Sequence, residues 1–336
     1  MSYRNLPIDQ VLSLLQQGDK QLLARLITCS ESNKKSDQTY ISEILSTFNY
    51  SANMTRRIGI TGSPGVGKSS LIEKIGFELI KQGRKLAVLT IDPSSSLTRG
   101  SILGDKTRMV ELSKEDLVFI RPSPSKNHLG GISEGTRSNI QLCEIAGFQD
   151  ILIETVGIGQ SEHEVSSVSD MTIWIGIGGA GDELQGIKRG IMEWADLMLI
   201  NKSDGSNIAK STKTKNELQA VIGFMPFRKN NKKAEILLTS AIENQGIEEI
   251  IKKIDFFFQD ILNNNKLIST RLDQEIQFFN QKWQKEILQE LLLQKEIHIK
   301  HSELINLIES KKIDANSASI QLQEFIFAHF KDRKSK

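Results

Sequence analysis

Cysteine is scarce in this chain. The 336 residues hold two, Cys29 and Cys143, far apart and outside any C-x-x-C pair. That excludes a disulfide framework and a cysteine-rich metal site, and it fits a reducing compartment. Excess charge of one sign is also missing: 43 Lys and Arg stand against 41 Asp and Glu, a formal net charge of +2. Nucleic acid is therefore not expected as the main partner, because a phosphate backbone calls for a concentrated basic face. No apolar run approaches the roughly 18 residues of a membrane span. The opening MSYRNLPIDQ lacks a basic stretch followed by an apolar one, so no secretory signal is expected. The five histidines form no ligand set, and no internal repeat is visible. These absences predict a cytoplasmic protein with no membrane partner. Composition is otherwise ordinary, at 38% hydrophobic and 25% charged. The length suits one large domain with extensions, or two domains.

What is present is organised around IGITGSPGVGKSSL, residues 58–71. Ile58 to Thr61 reads as a short buried strand. Gly62, Ser63, Pro64, Gly65, Val66, Gly67, Lys68 and Ser69 spell G-x-x-x-x-G-K-S, and Ser70 supplies a further hydroxyl. Leu71, Ile72 and Ile75 then recur at helical spacing. Strand, glycine-rich turn and helix in this order make a phosphate cradle. Backbone N–H groups converge on one concavity, and the helix points its positive dipole end at the same place. Lys68 is expected to reach the β- and γ-phosphates, and the Ser69 hydroxyl to bind Mg²⁺.

Strands and helices alternate from Arg57 to about Leu262, which predicts a mostly parallel sheet flanked by helices. KLAVLTID (85–92), LVFI (117–120), DILIET (150–155), MTIWIGI (171–177), ADLMLIN (195–201) and EILLTS (235–240) are the strand candidates. Chemically interesting residues stand just after these runs, at the edge of an open α/β sheet where ligands bind. Asp92 and Glu154 each end a strand, and both suit a Mg²⁺–phosphate site. Gly157 allows a backbone N–H to approach a γ-phosphate. Asn201-Lys202-Ser203-Asp204 is N-K-x-D. The Asp204 carboxylate accepts from the N1–H and exocyclic amine of guanine together, a pair adenine lacks. Lys202 would cover the base plane and Asn201 would tie this turn to the phosphate loop. Ser240, Ala241 and Ile242 would offer a backbone N–H to the guanine O6. The nucleotide is thus expected to be GTP or GDP. The glycine- and charge-rich 178–196 stretch is expected to respond to the nucleotide.

The ends are helical in pattern. Residues 1–54 carry apolar positions three and four apart, such as Leu22, Leu23, Leu26 and Ile27, and read as an extension packed on the next domain. Residues 263–336 hold a broad stripe through Phe279, Trp283, Ile287 and Leu288, expected to form a helical arm or hairpin. The expected division is 1–54, 55–262 and 263–336.

The stretches GSPGVGKSS, IDPSSS, GSILGDKTRM (100–109), FIRPSPS (119–125), LGGIS (129–133), ETVGIGQSE (154–162), GAGDELQGIKRGI (179–191) and NKSD together resemble the MeaB/MMAA/ArgK family of P-loop GTPases. The likeness covers the whole 55–262 region and continues more weakly into both ends. It implies a chaperone of an adenosylcobalamin-dependent mutase, methylmalonyl-CoA mutase or a close relative, and GTP-gated control of its cofactor loading. It also implies a homodimer joined partly through the C-terminal helices. By position, Lys68, Asp92, Asp105 and Glu154 would be catalytic. Ser69, Asp92, Asp105 and Glu154 would surround Mg²⁺ and the attacking water. Gln160 would lie in a switch segment, and so would Asp182, Glu183, Gln185 and Lys188, with Lys188 the residue that responds to nucleotide and partner. Small departures exist: the loop ends K-S-S, and Arg99 precedes GSILGD where the family more often has glycine. The alternative reading is a GTP-dependent metallochaperone of the nickel-insertion type.

Overall fold

The structure, a computed structural model, describes residues 6–32, 34–47, 54–92, 109–124, 134–155, 165–179, 194–224 and 233–333. Among them, seven strands form one sheet: β1 (Arg56–Thr61), β2 (Leu86–Asp92), β3 (Val118–Pro124), β4 (Asp150–Thr155), β5 (Met171–Ile177), β6 (Leu197–Asn201) and β7 (Glu235–Leu238). Their spatial order is β3-β2-β4-β1-β5-β6-β7, and every pairing is parallel. Parallel strands need covered faces, and the near-continuous apolar runs supply them. Successive side chains alternate between faces. In β4, Leu152 enters one core while Ile151 and Ile153 enter the other.

The first face is covered by α4 (Lys68–Lys81) and α7 (Ile247–Asn263), through Leu71, Ile75 and Leu79 and through Ile250, Ile254 and Phe258. The second carries α1 (Ile8–Gln16), α2 (Lys20–Ser30), α3 (Lys35–Ser46) and α5 (Glu134–Ile145). Farther along it, α6 (Ile208–Phe224) packs Leu218 and Ile222 on Trp174, Met198 and Ile200. The N-terminal helices thus pack on the sheet, as their periodicity predicts. Asp19 caps α2 by accepting from the Leu22 N–H at 2.8 Å. At the far end of α2, Glu31 pairs with Arg121 of β3 at 3.0 Å and accepts from Asn139 of α5 at 3.0 Å. Cys143 is buried in α5, and that burial pushes its thiol up, so it packs as a small un-ionised group.

One strand outruns its expectation. β3 continues through Pro122 and Pro124, which read as a stop after LVFI. It is an edge strand, paired to β2 alone, so a proline there can face outward without breaking a ladder.

The opposite, N-terminal edge of the sheet holds buried charge. Arg56 pairs with Asp150, its register partner on β4, at 2.5 Å, and with Asp255 of α7 at 2.5 Å. Arg84 also binds Asp150. Arg57, turned the other way, grips Glu144 of α5 through Nε at 2.6 Å and Nη2 at 2.8 Å.

The chain divides into two compact units, Met1–Thr270 and Arg271–Lys336. The second contains most of α8 (Lys266–Leu293), with α9 (Lys295–Glu309) and α10 (Ala315–Arg333). Asp314 caps α10, accepting from the Asn316 and Ser317 N–H groups. Leu272, Ile276, Phe279, Trp283 and Ile287 on α8 are exposed at spacings of three and four, one helical face. Among the described residues, no helix is long and apolar enough to cross a membrane.

Candidate functional site

The site forms where β1, β4, β6 and β7 end. β1 delivers the chain into the turn 62–67, and α4 begins at Lys68. Two glycines make this path possible. A Cβ on Gly62 would lie 2.1 Å from the Ile175 carbonyl oxygen of β5, so only glycine permits this backbone approach. Gly67 occupies the N-cap with φ 91°, a left-handed conformation that costs other residues about 1 kcal/mol or more. The Lys68 ammonium is buried and donates back across the turn, to the carbonyls of Gly62 at 2.6 Å and Ser63 at 3.0 Å.

β4 lies beside β1 and brings Glu154 to the same end. The Ser69 hydroxyl donates to Glu154 Oε1 at 3.0 Å. One residue on, the buried Thr155 hydroxyl donates to Thr61 Oγ1 at 3.1 Å, which ties the ends of the two strands together. Sequence reasoning missed this pair. A threonine ending each of two strands gives no signal until the strands are known to be neighbours.

β6 and β7 carry the second half. Asn201, buried at the end of β6, donates from Nδ2 to the Val66 carbonyl at 2.8 Å and accepts from the Ala241 N–H at 3.3 Å. A Cβ on Gly67 would meet this same amide at 2.6 Å. Lys202 adopts φ 56°, unusual for a side-chain-bearing residue, and its Nζ donates to the Gly65 carbonyl at 2.8 Å. The Ser240 hydroxyl donates to Asp204 and accepts from the Glu243 N–H at 3.1 Å. Ile242 is 85% exposed beside them. The structure therefore brings Lys68, Ser69 and Glu154 together, and joins the phosphate loop to Asn201, Lys202, Asp204 and Ser240.

Asp92 closes β2 two strands from β1, and the description ends at its backbone. Asp105, Gly157, Gln160, Asp182, Glu183, Gln185 and Lys188 lie outside the described residues.

A parallel sheet with a glycine-rich phosphate loop after its central strand, held to an N-K-x-D turn two strands away, defines the chain as a P-loop GTPase, an enzyme that binds and hydrolyses GTP. The family model described as methylmalonyl-CoA mutase-associated GTPase MeaB matches residues 23–298, and the chain belongs to that family. It is 36% identical over 318 residues to GTPase ArgK of Escherichia coli strain K12, covering 95% of this chain and 96% of that one. It is 36% identical over 337 residues to the mouse protein named methylmalonic aciduria type A homolog, mitochondrial, covering 97% of this chain and 80% of the relative. A crystal structure described as LAO/AO transport system kinase superposes with a TM-score of 0.77 at 30% identity, covering 95% of this chain and 97% of that one.

Proposed function

We propose that this chain uses GTP hydrolysis to chaperone an adenosylcobalamin-dependent acyl-CoA mutase, methylmalonyl-CoA mutase first among the candidates. It would gate loading of the mutase's cofactor and protect or reactivate the enzyme. The observation that carries the reading is the match of residues 23–298 to a family described as mutase-associated. The name of the mouse relative points the same way.

In this reading Lys68 and the backbone N–H groups of the turn 62–67 hold the phosphates. Asn201, Lys202, Asp204 and the 240–242 turn hold guanine. Ser69 and Glu154 fit a magnesium ion: a hard cation takes oxygen ligands, and these two oxygens stand 3.0 Å apart at the ends of neighbouring elements. Once bound, the ion would neutralise charge on the phosphates. Asp92, Asp105 and Gly157 are proposed to complete the site, with Gln160, Asp182, Glu183, Gln185 and Lys188 in segments that respond to the nucleotide. The exposed apolar face of α8 supports a homodimer through residues 263–336, because such a face is normally covered in solution.

The test is steady-state GTP hydrolysis with and without the mutase from the same organism. Slow basal turnover and marked stimulation are expected. Absence of stimulation removes that mutase as the client. Lys188→Ala should abolish the stimulation and keep GTP binding; lost affinity with full stimulation would overturn its switch role. Asp204→Ala should weaken GDP binding by about 10- to 100-fold, the worth of hydrogen bonds to a charged group. It should also relax discrimination against xanthine and adenine nucleotides, and unchanged discrimination in a competition assay would remove Asp204 as the base reader.

A further inference from the structure

The guanine-reading turn has a direct link to the phosphate loop, through Asn201 and Lys202. The structure contains a second and longer path. Three residues after Asp204 the chain enters α6, and on its first two turns Ser211 and Thr214 face inward, both buried. They meet the backbone just beyond β5. The Gly179 N–H donates to Thr214 Oγ1 at 3.2 Å. Gly178 sits so close to α6 that a Cβ there would lie 2.5 Å from Ser211 Cα, N and Oγ. That is contact of backbone with backbone, and it leaves no slack. Ser211 Oγ is itself wholly buried and has no hydrogen-bond partner among the described residues. Desolvating a hydroxyl in this way costs free energy, so packing economy does not explain the arrangement. At the other end of the path, the Ile175 carbonyl of β5 presses on Gly62, whose own carbonyl holds Lys68 Nζ at 2.6 Å.

We propose that Thr214 is a positioning residue for GTP hydrolysis. By holding Gly179 it fixes the end of β5 between α6 and Gly62, so that engagement of guanine by the turn at the head of α6 is felt at Lys68. The inference rests on Asp204 being the base reader. It goes beyond that reading in making the base contribute to the rate, through a contact with neither the base nor the phosphates. Ser211 and Gly178 act with Thr214 only as the close-packed floor.

Inosine triphosphate, which lacks the exocyclic amine of guanine, separates the two claims. In the wild-type chain the base reader predicts a higher KM for ITP than for GTP, and the proposed path predicts in addition a kcat for ITP lower by about fivefold at saturation. In Thr214→Val, a near-isosteric change that removes the acceptor, kcat for GTP should fall to the ITP level. The KM difference should persist, and so should the melting temperature. Thr214→Ser, which keeps the hydroxyl, should restore the kcat ratio; if the valine variant does not fold, Thr214→Ala replaces it. A purely structural role would lower both nucleotides' rates alike and leave their ratio unchanged, which overturns the proposal. Equal kcat values for GTP and ITP in the wild-type chain overturn it as well. Equal KM values in the wild type would instead sink the base-reader assignment.

Discussion

Lys68→Ala is expected to lower the rate of GTP hydrolysis at saturation about a thousandfold, the scale seen when one preorganised donor is removed from developing charge. The ammonium is buried at the first position of α4 and spans the turn to the carbonyls of Gly62 and Ser63. A positive charge fixed there needs little rearrangement as negative charge builds on the transferring phosphoryl group. Alanine leaves the N–H groups of the turn in place, so nucleotide binding should weaken less than turnover does. The helix should persist, because Leu71, Ile72, Ile75 and Leu79 anchor it beneath the site. Lys68→Arg should rescue poorly, since a planar guanidinium does not replace a compact ammonium between two carbonyls. Single-turnover hydrolysis at saturating GTP is the measurement. A rate within about tenfold of wild type would take Lys68 out of the phosphate site.

The parts of this site that are legible in the sequence are those written in consecutive residues. G-x-x-x-x-G-K-S and N-K-S-D each carry their geometry locally, because one turn after one strand delivers all their groups. Glu154 is legible one step less directly, as a carboxylate ending an apolar run. Its meeting with Ser69, 85 residues away, depends on β4 lying next to β1. That order is not written in any single stretch. Strand β4 inserts between β1 and β2, and nothing in DILIET itself selects that slot over the sheet edge. Everything that follows from the insertion is hidden for the same reason: the Thr61–Thr155 bond, the pairing of Arg56 with Asp150, and the clasp of Thr214 on Gly179 across β5 and α6. The N-terminal helices are an intermediate case. Their periodicity announces an apolar face, but only the fold shows that it closes over β2, β3, β4 and α5.

The buried charges at the opposite edge of the sheet give the largest expected loss of stability. Asp150 is fully buried and accepts from Arg56 and Arg84. Replacing it with alanine leaves the Arg56 guanidinium, itself almost wholly enclosed, with Asp255 as its remaining printed carboxylate partner. That partner's side chain is 41% exposed, so water screens it and it compensates weakly. Breaking a buried pair by removing one member costs about 3–5 kcal/mol. In a unit of this size that corresponds to a fall in melting temperature on the order of 10 °C. Asp255→Ala should cost about 1 kcal/mol or less, because an exposed pair contributes little. The contrast separates burial from mere pairing. Removing both charges should recover much of the loss, so Arg56→Met combined with Asp150→Leu is expected to melt well above Asp150→Ala alone. Below the transition, GTP hydrolysis should be unaffected, since Asp150 begins β4 and the site lies at its other end, with Glu154. Thermal melts of the three variants beside wild type decide the matter. If Asp150→Ala melts no lower than Asp255→Ala, the buried pair at the base of β1 and β4 does not hold the sheet together, and the apolar contacts of α4, α5 and α7 carry that edge by themselves.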